Sequence, residues 1–475
     1  MNYTSSVQPL SRREMLRTSA CGFGSLALAG LCQQAAASTG PATLLQRQPM
    51  IAPRAKRGIF IFMAGGPSHV DSYDYKPELI RNHDKDYDFT GVRFGTFGKK
   101  SKRKLMKPLW DFKQYGQCGQ HVSELFPYTA QMVDDLCFIK SMHTEGVAHG
   151  PSTLFMHTGA TNLIRPSVGS WVTYGLGSER SSLPAFVVMN DYRGGPLGGP
   201  NDWSAGFMPA TYQGTLFRAV GDPIVDLQPP EGMTEAQQRA RLDTLATLNE
   251  IDMAKNPGNS ELAARISSYE LAYRMQGCAP EAVDTAAESD ATKKLYGLDD
   301  PLTEPFGRQC LMARRLVERG VRFVQLFSGN GGGGTTGWDA HTNLKDNHSL
   351  KAAETDLPIA GLLTDLKSRG LLDSTLLVWH GEFGRMPISQ RGVGRDHNPG
   401  AMTGWMAGAG IQGGQVIGAT DKIAGEVVSR PVHYQDVVAT LYHNLGIDVR
   451  TTTIDDPGGR PQYLTDGRLP IQELI

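Results

Sequence analysis

The feature that most constrains the fold is an alternation of short apolar runs with longer stretches of helical periodicity. Buried strands are predicted for the apolar runs at residues 58–63, 136–140, 185–189, 322–327 and 375–379. Helices are predicted at residues 121–134, 304–319, 356–369 and 433–445. Strands that alternate with helices form a mainly parallel sheet covered on both faces. We therefore expect an α/β fold, a three-layer α/β/α sandwich, with its functional loops at the carboxyl ends of the strands.

Two helical stretches interrupt this alternation between about residue 194 and residue 301. They span residues 235–255 and 261–275 and are separated by Asn256-Pro257-Gly258. We interpret this region as a helical cap inserted into a single domain of residues 57–475. The polar, proline-containing residues 39–56 are predicted to be a linker.

The N-terminal 38 residues have the pattern of a targeting signal. Arg12-Arg13 precede a weakly apolar stretch at residues 18–31, and small residues follow at 35–38. This order is typical of a twin-arginine export signal, with an ordinary Sec signal or a short anchor as the alternatives. No later stretch is apolar for long enough to form a transmembrane helix. We expect an exported protein of the periplasm or the cell surface.

The charge balance and the cysteines exclude several classes of protein. Lys and Arg number 47 and Asp and Glu 48, which gives a formal net charge of −1. Nucleic-acid-binding proteins gain affinity from a basic excess, so no nucleic acid partner is expected. The cysteines beyond the signal lack the Cys-x-x-Cys spacing of a zinc site, although one or two disulfides are compatible with export. These cysteines are Cys118, Cys137, Cys278 and Cys310.

Histidines are concentrated where the predicted strands end. Of the twelve in the chain, eight lie at or just beyond a strand end: His69, His143, His149, His157, His341, His348, His380 and His397. Singly, each is more often structural than a ligand. Their common location at one edge of the sheet favours a metal site or an acid–base site.

Carboxylates accompany four of these histidines in the loops. The ligands predicted for one or two divalent metal ions are His69, Asp71, Asp339, His341, Glu382 and His397. Imidazole with carboxylate suits zinc, manganese or iron, and carboxylates also serve calcium or magnesium. Arg385 and Arg395 lie beside these ligands in the sequence, where each is expected either to clamp an oxyanion or to pair with a structural carboxylate.

The chain resembles a known superfamily in three motifs: residues 63–69, Glu382-Phe383-Gly384-Arg385 and Gly394-Arg395-Asp396-His397. They are similar to those of the alkaline phosphatase and sulfatase superfamily and, within it, of the exported domain-of-unknown-function 1501 family. The resemblance to that family extends from about residue 57 to residue 474. It implies an alkaline-phosphatase-like fold and metal-dependent hydrolysis of phosphate or sulfate esters.

Three positions depart from the superfamily pattern. His149, in His149-Gly150-Pro151-Ser152, stands where sulfatases have the cysteine or serine that matures into their nucleophile, which excludes an ordinary sulfatase mechanism. Gly65-Gly66 replace an aspartate pair, for which His69 and Asp71 are candidate substitutes. Trp379 replaces a ligand aspartate, so His380 or Glu382 would supply that ligand.

His149 has several candidate roles: a metal ligand, a nucleophile or base, or a filler of a helix N-terminus. We favour the ligand or the base. We expect His149 at a helix N-terminus facing the metal site, with the pKa of its imidazole lowered by the helix dipole.

The functional expectation is an exported metal-dependent hydrolase acting on a small anionic ester or on a sulfated or phosphorylated glycan. Its predicted catalytic residues are His149, Arg385 and Arg395. The alternative is a catalytically degenerate member of the superfamily that binds anionic glycans or a partner protein without turnover.

Overall fold

A computed structural model describes Leu44 and residues 46–88, 102–225, 227–256 and 260–475. The predicted export signal lies outside these residues. Residues 46–56, within the predicted linker, lie along the body of the protein. For example, the backbone N–H of Met50 donates to Gly446 and that of Lys56 donates to Ser374.

Nineteen strands are present in the described residues. In chain order they are β1 (Arg57–Met63), β2 (Asp86–Asp88), β3 (Lys102–Lys104), β4 (Phe112–Tyr115), β5 (Gln120–Ser123), β6 (Leu136–His143), β7 (Phe186–Met189), β8 (Thr215–Phe217), β9 (Phe323–Ser328), β10 (Thr375–His380), β11 (Gly384–Arg385), β12 (His397–Asn398), β13 (Met402–Ala407), β14 (Val416–Ile417), β15 (Ala419–Thr420), β16 (Val427–Ser429), β17 (Val432–His433), β18 (Thr453–Asp455) and β19 (Pro461–Tyr463).

The α-helices of the described residues are α1 (His69–Ser72), α2 (Pro77–Arg81), α3 (His149–Thr158), α4 (Val168–Leu176), α5 (Glu235–Lys255), α6 (Ser260–Val283), α7 (Asp290–Leu295), α8 (Glu304–Glu318), α9 (Leu344–Ser368) and α10 (Tyr434–Asn444). Short 3₁₀ helices lie at Thr129–Asp135, Gly199–Trp203, Ala210–Tyr212, Leu372–Ser374 and Gln472–Leu474. Among these elements no helix is both long and apolar enough to cross a membrane.

Nine strands form the central sheet in the order β14-β6-β13-β10-β1-β9-β7-β8, with β17 also pairing with β6. Strand β13 is antiparallel to both of its neighbours, and the other strands share one direction. The structure therefore confirms the mainly parallel sheet. At its centre Ile61 of β1 pairs with Trp379 of β10 and Leu326 of β9.

Helices cover both faces of the sheet, which confirms the three-layer sandwich. Along β1, Ile59 and Ile61 face a core shared with α8 and α9. Phe60 and Phe62 face the opposite core, shared with α3, α4 and α10. Burial on both faces explains why β1 is a continuous apolar run.

Most predicted elements are present, but the helix expected at residues 121–134 is wrong. Residues 120–123 form β5, and a 3₁₀ helix follows at Thr129–Asp135. Pro127 lies between them and disfavours helical geometry at Phe126, which ends any continuous helix there.

The region predicted as a cap contains α5 and α6 and also contributes β8 to the central sheet. Cys118, Cys137, Cys278 and Cys310 are free thiols.

Candidate metal centre

Loops at one edge of the sheet bring distant residues together. His149 begins α3 after β6, and Asp339 and His341 lie in the loop after β9. Glu382 follows β10, and His397 lies in β12 just before the antiparallel strand β13. Strands β6, β9 and β10 run in one direction and end at the same edge of the sheet, where the antiparallel strand β13 begins. The side chains that follow these strands or precede β13 therefore converge.

Asp339 lies at the centre of this group. Its Oδ1 is 3.3 Å from Nε2 of His149 and 3.0 Å from Nε2 of His341. Nε2 of His397 is 3.4 Å from the same oxygen. The four side chains offer one donor atom each, all within 4.8 Å of one another. This compact group of three imidazoles and one carboxylate is called the His₃Asp cluster below.

The outer nitrogen of each imidazole meets an oxygen atom. Nδ1 of His149 lies 2.5 Å from Oε1 of Glu382, and Nδ1 of His341 lies 2.6 Å from Oε1 of Gln390. Nδ1 of His397 lies 2.8 Å from the carbonyl oxygen of Val147. A carbonyl oxygen only accepts, so it places the proton on Nδ1 of His397, and a carboxylate or an amide oxygen has the same effect on the other two rings. All three Nε2 atoms then face Asp339, and the outer nitrogens are held by oxygen atoms as in metal-binding histidines.

The electrostatics of the cluster favour a positive charge at its centre. Burial lowers the pKa of His149, but its contacts with Asp339 and Glu382 outweigh burial and raise that pKa to about 9. Burial acts to raise the pKa of Asp339, yet its contacts with the three imidazoles bring it below the ordinary range. Burial lowers the pKa of His397 to about 4. The lowered pKa expected for His149 is therefore wrong, because Asp339 and Glu382 raise this pKa more than burial lowers it.

Buried Nε2 of His149 makes no hydrogen bond although it faces Asp339. A buried nitrogen without a hydrogen bond is costly unless another group satisfies it. Three imidazole nitrogens and a carboxylate oxygen are a donor set that zinc, manganese or iron accepts. The residues of the cluster therefore fit a divalent transition-metal ion.

Arg385 contacts the cluster through Asp339. Its Nη2 lies 2.7 Å from Oδ1 of Asp339, and its Nε donates to the carbonyl oxygen of Gly66 at 2.9 Å. Its side chain is fully buried. Since Arg385 already holds Asp339 and the loop after β1, its guanidinium orients a ligand and is not presented to an incoming oxyanion.

Arg395 and Asp71 lie apart from the cluster and form a buried ion pair. Nε of Arg395 is 2.6 Å from Oδ2 of Asp71, and both side chains are fully buried. Asp71 also accepts from the hydroxyl of Ser68 and from the N–H of Leu109. Arg395 uses its other donors on the carbonyl oxygens of Met106, Lys107 and Met386. The structure thus places Asp71 and Arg395 in a buried ion pair, and neither belongs to the His₃Asp cluster.

His69 also lies outside the cluster. Its Nδ1 accepts the backbone N–H of Arg385 at 3.2 Å, and its Nε2 is 3.1 Å from the carbonyl oxygen of Ala424. With both nitrogens engaged by backbone, His69 joins the loop after β1 to the strand β11. His380 is buried, with Nδ1 2.8 Å from the carbonyl oxygen of Gly381.

The backbone at Gly65, just after β1, lies close to the loop that carries Asp339. Its N–H donates to both carboxylate oxygens of Glu382, at 2.9 and 3.0 Å. A Cβ atom at this position would lie 2.4 Å from the backbone nitrogen of Trp338 and 2.5 Å from that of Asp339. No side chain fits at position 65. The loop after β1 therefore offers only backbone here, and the carboxylate comes from Glu382 instead.

Sequence reasoning missed two members of the site. Gln390 and the carbonyl group of Val147 each orient one histidine of the cluster. A glutamine in a polar loop and a backbone carbonyl carry no sequence signal of this role.

Comparisons with solved structures give distant likenesses to hydrolases. The PsFucS1 sulfatase from Pseudoalteromonas sp. is 12% identical, over 86% of this chain and 69% of that chain, with a TM-score of 0.36. The phosphonate monoester hydrolase SpPMH from Silicibacter pomeroyi is 11% identical, over 68% of each chain, with a TM-score of 0.31. A TAB5 alkaline phosphatase mutant is 11% identical, over 76% of this chain and 93% of that chain, with a TM-score of 0.27.

Among proteins of curated function, none matches this sequence. The model of one protein family does match, over residues 55–475, which include the whole central sheet and the His₃Asp cluster. The chain therefore belongs to the family described as protein of unknown function DUF1501.

Proposed function

We propose that this protein is an exported, metal-dependent hydrolase of phosphate or sulfate esters whose metal ion is held by His149, Asp339, His341 and His397. The observation that carries the proposal is the convergence of three Nε2 atoms on Oδ1 of Asp339, at 3.0 to 3.4 Å. Export rests on the sequence of the N-terminal segment.

The ligand set favours some ions over others. Three imidazoles suit zinc, manganese or iron, whereas magnesium and calcium prefer all-oxygen sites. We propose one ion rather than two, because Asp71 and His69 are engaged elsewhere and Glu382 orients His149. An ion that accepts five or six ligands would keep open coordination positions beside the four protein donors.

When bound, a divalent ion supplies a Lewis acid that polarises an ester oxygen. The other groups of the site come from the chain itself. Arg385 fixes Asp339, Glu382 fixes His149, and Gln390 fixes His341. The N-terminus of α3, at His149, adds the positive end of a helix dipole, which favours a bound anion. With no serine or cysteine at position 149, hydrolysis proceeds by attack of water rather than through an enzyme ester.

The proposed substrate is an anionic ester, either small or part of a sulfated or phosphorylated glycan. Such an ester would bring negative charge to a centre where a bound metal ion and the N-terminus of α3 are positive. Nucleic acid is not proposed as a partner, because the chain has no basic excess.

Ester turnover tests this function. Protein loaded separately with zinc, manganese and magnesium is assayed against an aryl phosphate and an aryl sulfate, before and after chelation. We expect turnover with zinc or manganese that is lost on chelation and in Asp339→Asn and His397→Ala. His443→Ala is the matched control, since His443 lies at the end of α10 outside the cluster.

A fully metal-loaded wild type that hydrolyses neither ester would contradict the hydrolase proposal. Binding of the loaded protein to sulfated glycans without turnover would then support the alternative of a catalytically degenerate binding protein.

A further inference from the structure

A cavity lies at the opposite edge of the sheet from the His₃Asp cluster. It is lined by Ala185, which precedes β7, and by Thr215, which begins β8. Strands β7, β8 and β9 are parallel, and Asp339 follows the carboxyl end of β9, so Ala185 and Thr215 mark the amino-terminal edge. Helix α6 contributes Leu271 and Arg274 to the wall. The length of the strands therefore separates this cavity from the cluster.

The lining of the cavity offers positive charge and hydrogen-bond donors but no negative charge. Two guanidinium groups line it, those of Arg180 and Arg274, and none of the described residues around it is Asp or Glu. Three hydroxyl groups in the lining donate no hydrogen bond within the described chain: those of Ser181, Thr211 and Thr215. Guanidinium and hydroxyl donors without a carboxylate are groups with which proteins hold phosphate or sulfate.

Arg274 is fixed at one nitrogen, and the other two are left for a ligand. Its Nε donates to the carbonyl oxygen of Ser181 at 2.8 Å. Glu270, one turn earlier on α6, forms no ion pair with Arg274, and its two oxygens accept instead from Arg239, at 2.6 and 3.0 Å. In the described part of the chain the two terminal nitrogens of Arg274 make no hydrogen bond or ion pair. A guanidinium held at Nε is preorganised to donate to an anion.

Arg180 also lacks a counter-charge. The hydroxyl of Ser178 accepts the backbone N–H of Arg180 at 3.2 Å and donates to its carbonyl oxygen at 2.5 Å, which fixes this turn. The adjacent Glu179 pairs with Arg322 at 2.8 Å and with Arg57 at 3.2 Å. Among the described residues the guanidinium of Arg180 has no hydrogen bond or ion pair. Two like charges at one cavity are stabilised when an anion binds between them.

We propose that this cavity is a second binding site, which holds a phosphate or sulfate group through Arg180 and Arg274. Its volume is about 90 Å³, the space of about three water molecules, which suits a tetrahedral oxyanion. Leu183 and Leu271 form an apolar part of the wall, so the group is accepted either as a free anion or on a small organic molecule. The site does not depend on the metal ion or on hydrolysis, because the cluster lies at the other edge of the sheet.

Calorimetric titration with inorganic phosphate and with sulfate tests the site. A chelator is present throughout, so that no metal ion at the His₃Asp cluster contributes to binding. We expect saturable binding of about one equivalent with a Kd of about 1 mM or lower, weakened by added salt. Phenylphosphonate, which contains no ester bond, separates the two sources of the anion. Tighter binding than phosphate would identify an organic ligand, and weaker binding would identify the free ion.

Three variants locate the bound anion. Arg274→Gln removes the charged donor and should weaken phosphate binding about tenfold or more. Gln213→Glu adds a negative charge to the lining at constant size and should also weaken it about tenfold or more. Gln213 is exposed, so this variant keeps the test valid if Arg274→Gln does not fold. Arg218→Gln is the matched control, because Arg218 is an exposed arginine just after β8 that does not line the cavity.

Absence of saturable binding in the chelated wild type would overturn the proposal. Wild-type affinity in both Arg274→Gln and Gln213→Glu would also overturn it, as would an equal loss in Arg218→Gln, which would show unspecific attraction by charge. Phosphate binding that requires an added metal ion would assign the anion to the cluster and would contradict a second site. None of these measurements involves ester turnover, so their failure is distinguishable from failure of the proposed hydrolase.

Discussion

The Nε2 atoms of His341 and His397 lie 2.9 Å apart. Nδ1 of His341 faces Gln390, and Nδ1 of His397 faces the carbonyl oxygen of Val147. With a proton on each Nδ1, two Nε2 lone pairs at this separation repel one another unless a proton or a metal ion lies between them. The pair is therefore arranged for a cation, and Asp339 supplies the matching negative charge.

The orienting role of Gln390 gives the first prediction. Gln390→Leu removes the acceptor for Nδ1 of His341 while retaining a side chain of similar size. Loss of such an outer partner lowers metal affinity about 10- to 100-fold. Calorimetric titration with zinc measures the change. Gln415→Leu, in the loop before β14, is the control and should bind as the wild type does; equal affinity in both variants would contradict the assignment.

The buried pair of Asp71 and Arg395 gives a prediction about stability. Asp71→Asn leaves the charge of Arg395 buried without its partner, which costs about 3–5 kcal/mol in the free energy of unfolding. Glu473→Gln breaks the pair with Arg430, whose side chains are 42% and 39% exposed, and should cost less than about 1 kcal/mol. Denaturant unfolding measures both, and similar small losses would show that Asp71 is not the main counter-charge of Arg395.

The close approach at Gly65 predicts that no side chain can be introduced there without loss of stability. Gly65→Ala combines a φ of +113° with contacts to the backbone of Trp338 and Asp339. Gly370→Ala is the matched control, with a φ of +67° and nothing within 4 Å of the added Cβ. The control should lose about 1–2 kcal/mol of stability, and Gly65→Ala about 1–3 kcal/mol more. Equal losses would mean that the loop after β1 relaxes freely.

The buried His348 predicts a loss of stability in acid. Burial lowers the pKa of His348 to about 3 from its ordinary value of 6.5. Between those pH values the unfolded chain binds a proton that the folded protein does not, so stability falls as pH falls, by about 1.4 kcal/mol per pH unit from this residue. Unfolding midpoints of wild type and His348→Gln should converge as pH decreases from about 7 to about 5. A constant difference between the two proteins would contradict the prediction.

The sheet was predictable because its strands are buried on both faces. Continuous apolar runs such as residues 58–63 and 375–379 have few other interpretations, and the two pair directly in the structure. The helix predicted from apolar spacing at residues 121–134 is absent because Pro127 disfavours helical geometry at Phe126. The start of α9 at Leu344, well before the predicted residue 356, shows how poorly apolar spacing defines helix ends.

The candidate site was predictable only in part. The rule that functional residues follow strand ends placed four residues at one edge of the sheet. In the structure these residues lie together around His149: Asp339, His341, Glu382 and His397. The same rule also selected His69 and Asp71, whose side chains turn to the backbone at Arg385 and to Arg395 instead. Sequence position fixes the edge of the sheet but not the direction of a side chain.

The charge state of His149 lay beyond sequence reasoning for a related reason. Its pKa depends on two carboxylates that are distant in the chain, those of Asp339 at 3.3 Å and Glu382 at 2.5 Å. The position of His149 at a helix N-terminus could be foreseen from the local pattern, but its contacts with Asp339 and Glu382 could not.

Metal content is the most direct test of the His₃Asp cluster. Wild type, His341→Ala and the control His443→Ala are equilibrated with zinc and with manganese, desalted and analysed by elemental mass spectrometry. The cluster predicts about one equivalent of ion in the wild type and the control, and strong depletion in His341→Ala with its fold retained by circular dichroism. A wild type that retains no ion, or a His341→Ala variant that retains as much as the wild type, would contradict the metal centre.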